Sequence, residues 1–295
     1  MRQKGFTLVE LIIVITLLGI ISLVTVGFIS SSMQGYADLK RRDQLSASAR
    51  VAVERMAREV RNALPNSIRV VGSGTCLEFI PAVAASRYFS VPTASAATSF
   101  ESVAYALEPE FTSGRVAVYP IDSNVSDEAH TDNPIYKLDG NSIVSPMLAS
   151  GLTLAPNPTP ASGAVTVSFL GGTSHQFPTD SPSNRYFIID EPVSFCLVGT
   201  DLYRFQGENG SSYTFSVTQP SAATLNTLSE PNKALLASDV VSPTGSQPFR
   251  YAEATLQRNA IVLFDMFVQD QILSVSDTTQ EDIRIQFEVQ VRNVP

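Results

Sequence analysis

FTLVELIIVITLLGIISLVTVGFI, residues 6–29, carries a single charged side chain, Glu10. About 20 apolar residues cross the hydrocarbon core of a bilayer as a helix. A helix satisfies its own backbone hydrogen bonds, so it is stable in lipid. The stretch contains Gly19 and Gly27 and no proline. Arg2 and Lys4 precede it, which places the N-terminus on the cytoplasmic side. Lys40, Arg41 and Arg42 lie on the far side. They stand about one Debye length or more beyond the span, where the charge rule weakens. A secretory signal peptide has a shorter apolar stretch, about 7–15 residues, and an A-x-A-like cleavage site. Here Ser30-Ser31-Ser32 comes nearest to such a site. A plain anchor explains the length but not Glu10. An unpaired carboxylate in lipid costs about 3 kcal/mol even on mild insertion scales. The sequence therefore asks for a partner for that charge.

Lys4-Gly5-Phe6-Thr7-Leu8-Val9-Glu10 resembles the type IV prepilin signal. In that family a prepilin peptidase cuts after the glycine and N-methylates the new first residue. The resemblance implies cleavage between Gly5 and Phe6, methylation of Phe6, and a role for Glu10 in subunit assembly. Glu10 would neutralise the Phe6 amine of a neighbouring subunit, and opposite charges attract far more strongly in a low-dielectric site than in water. RRDQLSASARVAVERMAREVRNALPNSIRV, residues 41–70, resembles the J-type pseudopilins of type II secretion and their PilW and MshO pilus counterparts. Pro192-Val193-Ser194-Phe195-Cys196-Leu197 with Leu202-Tyr203-Arg204 is most similar to the MshO type of the mannose-sensitive haemagglutinin pilus. The expected partners are other minor pilins, the major pilin, the prepilin peptidase and an inner-membrane assembly platform. The expected location is the bacterial inner membrane, single-pass, with the C-terminal domain in the periplasm, and then the pilus surface. Gly27 stands where many major pilins carry proline, and the chain is about twice as long as many of them. Both departures favour a minor subunit. A type II secretion pseudopilus and a pilus-tip adhesin remain the alternatives at this point.

The expected fold class is α+β, a long N-terminal helix packed on an antiparallel β-sheet domain. Its parts are a leader at 1–5, a transmembrane or filament-core helix at 6–29, an amphipathic helix at 30–64 and a β-rich domain at 65–295. Leu45, Ala49, Val53, Met56, Val60 and Leu64 recur every three or four residues and form one apolar face. Glu54 and Arg58 have pairing spacing, and Pro65 ends the helix. Gly27, Ser30–Ser32 and Gly35 mark a point where it would bend or melt. Strands are expected at 68–71, 75–80, 102–107, 115–120, 135–138, 163–169, 186–189, 193–198, 201–206, 211–217, 260–268 and 282–292. The last is the clearest, because Ile283, Ile285, Phe287, Val289 and Val291 alternate with polar residues. Val198-Gly199-Thr200-Asp201 reads as a hairpin turn. Stretches 82–100, 145–162 and 219–250, rich in Ala, Ser, Thr, Pro and Asn, read as loops.

Only 16% of residues are charged, and the net charge is −8. Loss of Arg2 and Lys4 with the leader removes two positive charges and leaves −10 on the side chains. An acidic chain repels nucleic acid, so no nucleic-acid partner is expected. The two cysteines, Cys76 and Cys196, both sit in strand-like stretches. An oxidising periplasm favours a bridge between them; two buried thiols are the other reading. His130 and His175 lie in polar stretches and read as exposed loop residues. The sequence lacks G-x-S-x-G, P-loop, H-E-x-x-H and dinucleotide signatures. No enzyme activity, cofactor or metal is expected. Asp122, Asp127, Glu128 and Asp132 with Asn124 and Asn133 are the one candidate calcium run, without EF-hand spacing.

Overall fold

The computed structural model describes residues 7–71, 74–104, 114–121, 133–149, 163–208, 211–252, 259–269 and 282–291. The chain divides into two compact units, Met1–Ser48 and Ala49–Pro295. A long helix followed by antiparallel sheets gives an α+β architecture, as the periodicities require.

Helix α1 is Leu8–Arg61. Within the first unit it stays helical through Gly27, Ser30–Ser32 and Gly35, the expected weak point. Within the second unit, Ala49, Ala52, Val53, Met56, Ala57 and Val60 are buried. That is the expected face, widened by Ala52 and Ala57, whose small side chains bring the backbone close to its cover. The anticipated Glu54–Arg58 pair is not made. Arg55 Nε instead reaches Glu59 Oε1 at 3.2 Å, and Arg204 Nε reaches Glu59 Oε2 at 2.7 Å. The helix stops at Arg61 rather than Leu64. Its last amides tighten, Asn62 N–H donating to Glu59 O and Ala63 N–H to Val60 O. The Leu64 amide then donates to Ile80 O at 2.8 Å, which takes it out of the helix before Pro65.

Among the described residues there are fourteen strands, numbered along the chain. The first sheet runs β1 (Arg69–Val71), β2 (Cys76–Phe79), β8 (Val193–Val198), β9 (Asp201–Gln206), β10 (Lys233–Ala237). The second runs β5 (Arg115–Val118), β7 (Arg185–Ile189), β3 (Ala82–Ser90), β4 (Ser99–Val103), β6 (Ala164–Ser168). In the third, β13 (Ala260–Gln269) lies between β11 (Val240–Val241) and β12 (Phe249–Ala252) on one side and β14 (Asp282–Val291) on the other. Every pairing is antiparallel. β2 and β8 are adjacent in space although all strands of the second sheet lie between them in sequence. The second sheet is thus an insertion. Its inner face packs Phe100 edge-on against Tyr186 and Phe177.

Several expectations fail for identifiable reasons. Within the expected loop 82–100, residues 82–90 and 99–100 are strand, and β4 begins at Ser99 rather than at 102. Small Ala and Ser side chains with weak strand propensity lie on β3, and pairing to β7 and β4 overrides them. The stretch 219–250 contains a short helix, α2 (Ala222–Leu225), capped by Ser221 Oγ, as well as β10, β11 and part of β12. Residues 135–138 are not a strand: Pro134–Tyr136 is a 3-10 turn, and Asn133 Oδ1 accepts from the Ile135 amide. Residues 211–217 form no strand either, since their carbonyls are used by a side chain described below. The expected strand end at 105–107 and most of the 145–162 stretch lie outside the described residues.

Candidate functional site

The N-terminal helix is the first candidate. Thr7 starts it: Thr7 Oγ1 accepts the Glu10 amide at 3.3 Å, and Thr7 O accepts the Leu11 amide. Thr7-Leu8-Val9-Glu10 therefore has the spacing of a capping box, with an acidic residue in the first turn. The S/T-x-x-E signal was present in the sequence, and Thr7 is the residue that the pairing argument for Glu10 overlooked. Gly5 and Phe6 lie outside the described residues.

Beyond Thr7 the side chains have no cover in this unit. Leu8 is 74% exposed, Leu23 78% and Phe28 71%. An 18-residue window has mean hydropathy 2.8 and nothing buried. The hydroxyls in this stretch are satisfied from within the helix. Thr16 Oγ1 donates to the Ile12 and Ile13 carbonyls, Thr25 Oγ1 to Ile21 O and Ser31 Oγ to Phe28 O. Such hydroxyls can enter lipid without an orphan donor. Glu10 differs: its carboxylate is exposed, with no ion pair among the described residues. A helix that fits a single membrane anchor thus leaves one charge unmatched.

The second unit is locked by buried polar chemistry. Cys76 and Cys196 face each other across β2 and β8 and are bonded, with Cα atoms 4.2 Å apart. Nearby, Arg69 is fully buried. Its Nε donates to Glu78 Oε2 at 2.7 Å, while Nη1 and Nη2 donate to the Val217 and Ser216 carbonyls. Its guanidinium stacks 3.7 Å from the Tyr136 ring centre. Tyr213 Oη donates to Glu78 Oε1 and meets Ser194 Oγ at 2.7 Å. Burial pushes the Glu78 carboxyl up from its ordinary value, while Arg69 and then Tyr213 pull it back. Burial drives the Tyr136 and Tyr213 phenols well above theirs. The cluster is buried throughout. It clamps residues 213–217 onto the first sheet, which is why that stretch forms no ladder.

His175 is buried, not exposed. Its Nε2 lies 3.0 Å from Ser142 O, and its ring packs edge-on against Phe169 and Phe177. Burial lowers its pKa below the ordinary 6.5. Beside it a cavity of about 230 Å³ is lined by Arg115, Leu138, Asp139, Gly140, Val144 and Thr173 among others. Ser174 also lines it, and among the described residues neither lining hydroxyl, Thr173 nor Ser174, is hydrogen-bonded to a histidine or a carboxylate; Thr173 Oγ1 donates to Leu170 O. His130 and the acidic run lie outside the described residues except Asn133, which is spent as a cap and donates Nδ2–H to Asn66 O. Among the described residues, no three His, Cys, Asp or Glu side chains gather as metal ligands.

No curated protein and no solved structure matches the chain. Residues 1–26 match the family model described as the prokaryotic N-terminal methylation motif. This match supports a type IV pilin-like protein, processed by a prepilin peptidase and assembling with other pilins.

Proposed function

We propose that the chain is a minor pilin that primes assembly of a type IV, MSHA-like pilus and sits near its tip. It does no chemistry of its own and is the substrate of the peptidase that cuts between Gly5 and Phe6. One observation carries this reading. Within the segment matched by the methylation motif, residues 8–26 are an uncovered apolar helix whose only charge, Glu10, has no ion-pair partner among the described residues. Cleavage creates a positive amine at Phe6, and a neighbouring subunit's Glu10 neutralises it as both leave water. Removing either charge strands the other, at about 3–5 kcal/mol. Since Glu10 is present, this chain can sit beneath another subunit. Its β unit then faces the periplasm and, after assembly, the cell surface.

The test is the intact mass and N-terminal peptide of the protein taken from its native membrane. A chain beginning at N-methylated Phe6 is expected. A chain still beginning at Met1 in cells with active peptidase would reduce the segment to an ordinary anchor.

A further inference from the structure

On β3, β4 and β6 the second sheet has a covered face and an open one, whereas β5 and β7 are buried on both faces up to the half-buried Arg185 at the start of β7. On β3 the side chains of Ala84, Ser86 and Tyr88 turn inward, whereas Val83, Ala85, Arg87 and Phe89 are exposed. Val83 is 46% exposed and Phe89 53%. Glu101 and Val103 on β4 and Thr166 on β6 continue the same open face. Arg87 lies directly opposite Arg185 of β7 in the register. Directly opposed residues of an antiparallel pair project to the same side, and like charges placed so destabilise the sheet. Neither guanidinium has an ion pair or hydrogen-bond partner among the described residues. Glu101 is paired with Ser90 and Thr166 rather than with either arginine. A chain with net charge −8 therefore places side by side, at the edge of an open and partly apolar face, two cations that no carboxylate among the described residues pairs.

We propose that this face docks a different protein subunit through clustered carboxylates. Arg87 and Arg185 hold the carboxylates, and Val83, Phe89 and Val103 supply the apolar contact. The inference rests on reading the chain as an assembling subunit. Arginine and exposed aromatics together are the composition of protein interfaces and their hot spots. Guanidinium forks match carboxylates in bidentate geometry. A small anion would want a concave pocket, and the cavity beside His175 is lined by other residues. A second copy meeting this face symmetrically would bring four guanidiniums together, so the charge pattern selects an unlike partner.

The experiment places a photo-crosslinking amino acid at position 89 of the full chain in its native membrane. A control carries it at Leu235, which is 55% exposed on the first sheet. Only chains whose mass shows cleavage at Gly5 are scored, so a failure of the pilin reading is seen separately. The expected result is a protein adduct from position 89, absent from position 235, whose crosslinked peptide is rich in Asp and Glu. Arg87→Glu with Arg185→Glu should lower its yield about tenfold or more, as loss of charge-assisted hydrogen bonds implies. Arg87→Lys with Arg185→Lys should keep part of it. Thermal unfolding of the charge-reversed chain must match that of the parent. No protein adduct, an adduct insensitive to charge reversal, or an adduct of twice the chain's mass would each overturn the proposal.

Discussion

Residues 8–29 and 49–60 belong to one helix, yet their side chains meet opposite fates. In the first stretch Leu, Ile and Val are half to three-quarters exposed; in the second Met56 and Val60 are fully buried. Hydrogen bonding within the helix is the same in both, so secondary structure does not distinguish them. The distinction lies in the spacing of polar residues. Arg50, Glu54, Arg55 and Arg58 give the second stretch a wet face, and its own β unit covers the other. The first has no wet face and no cover within its own unit, which suits lipid or other subunits as its surroundings. One stretch is finished by folding, the other by assembly.

That contrast predicts which changes damage which half. Replacing Cys76 and Cys196 by serine opens a loop spanning 120 residues. It should cost the β unit about 4–5 kcal/mol in the loop-entropy account. Melting of the full chain in detergent should fall accordingly, while membrane residence of the N-terminal helix is unchanged. Glu78→Ala leaves Arg69 buried without its carboxylate, at about 3–5 kcal/mol, again read in melting alone. If either change also released the helix from membranes, the two halves would not be independent.

Acid should act on the β unit in two windows. His175 is held neutral by burial, with its folded pKa below 6.5. The unfolded chain takes up that proton first as pH falls. Stability is therefore full above about 6.5 and drops below it, by at most about 1.4 kcal/mol per pH unit for one proton. His175→Gln should flatten this limb in pH-dependent melting. Arg284 holds the Asp265 carboxyl below its ordinary 3.8. Its contribution is present above 3.8 and is lost as pH falls further, so Asp265→Asn should weaken the lower window and leave the upper one unchanged. The smallest effect belongs to the helix start. Thr7→Ala removes the cap on the Glu10 amide and should cost about 0.5–2 kcal/mol locally. It should show as fraying of the first turn in amide exchange, with the melting of the β unit untouched.

The sequence made the helix and the strong strands readable because their periodicities are local. β14 alternates without interruption, and the β8–β9 hairpin is announced by Gly199, whose φ is +63°. β3 was hidden because Ala, Ser and Arg do not look like a strand. Only long-range pairing to β7 and β4 makes them one. Residues 211–217 deceived in the other direction. They have strand composition, but Arg69, about 147 positions away, takes the carbonyls a ladder would need. His175 looked like a polar loop residue because its aromatic neighbours, Phe169 and Phe177, meet it only after folding. The N-terminal motif is readable because its residues are contiguous, and residues 1–26 match the methylation motif.

The central claim is that Glu10 is an assembly charge and not a folding one. Its most direct test is the amount of the Glu10→Ala chain recovered in sheared filaments, normalised to the cleaved chain in the membrane. The account predicts normal cleavage at Gly5, normal melting of the β unit and strong depletion from filaments. Recovery equal to that of the parent chain would contradict it.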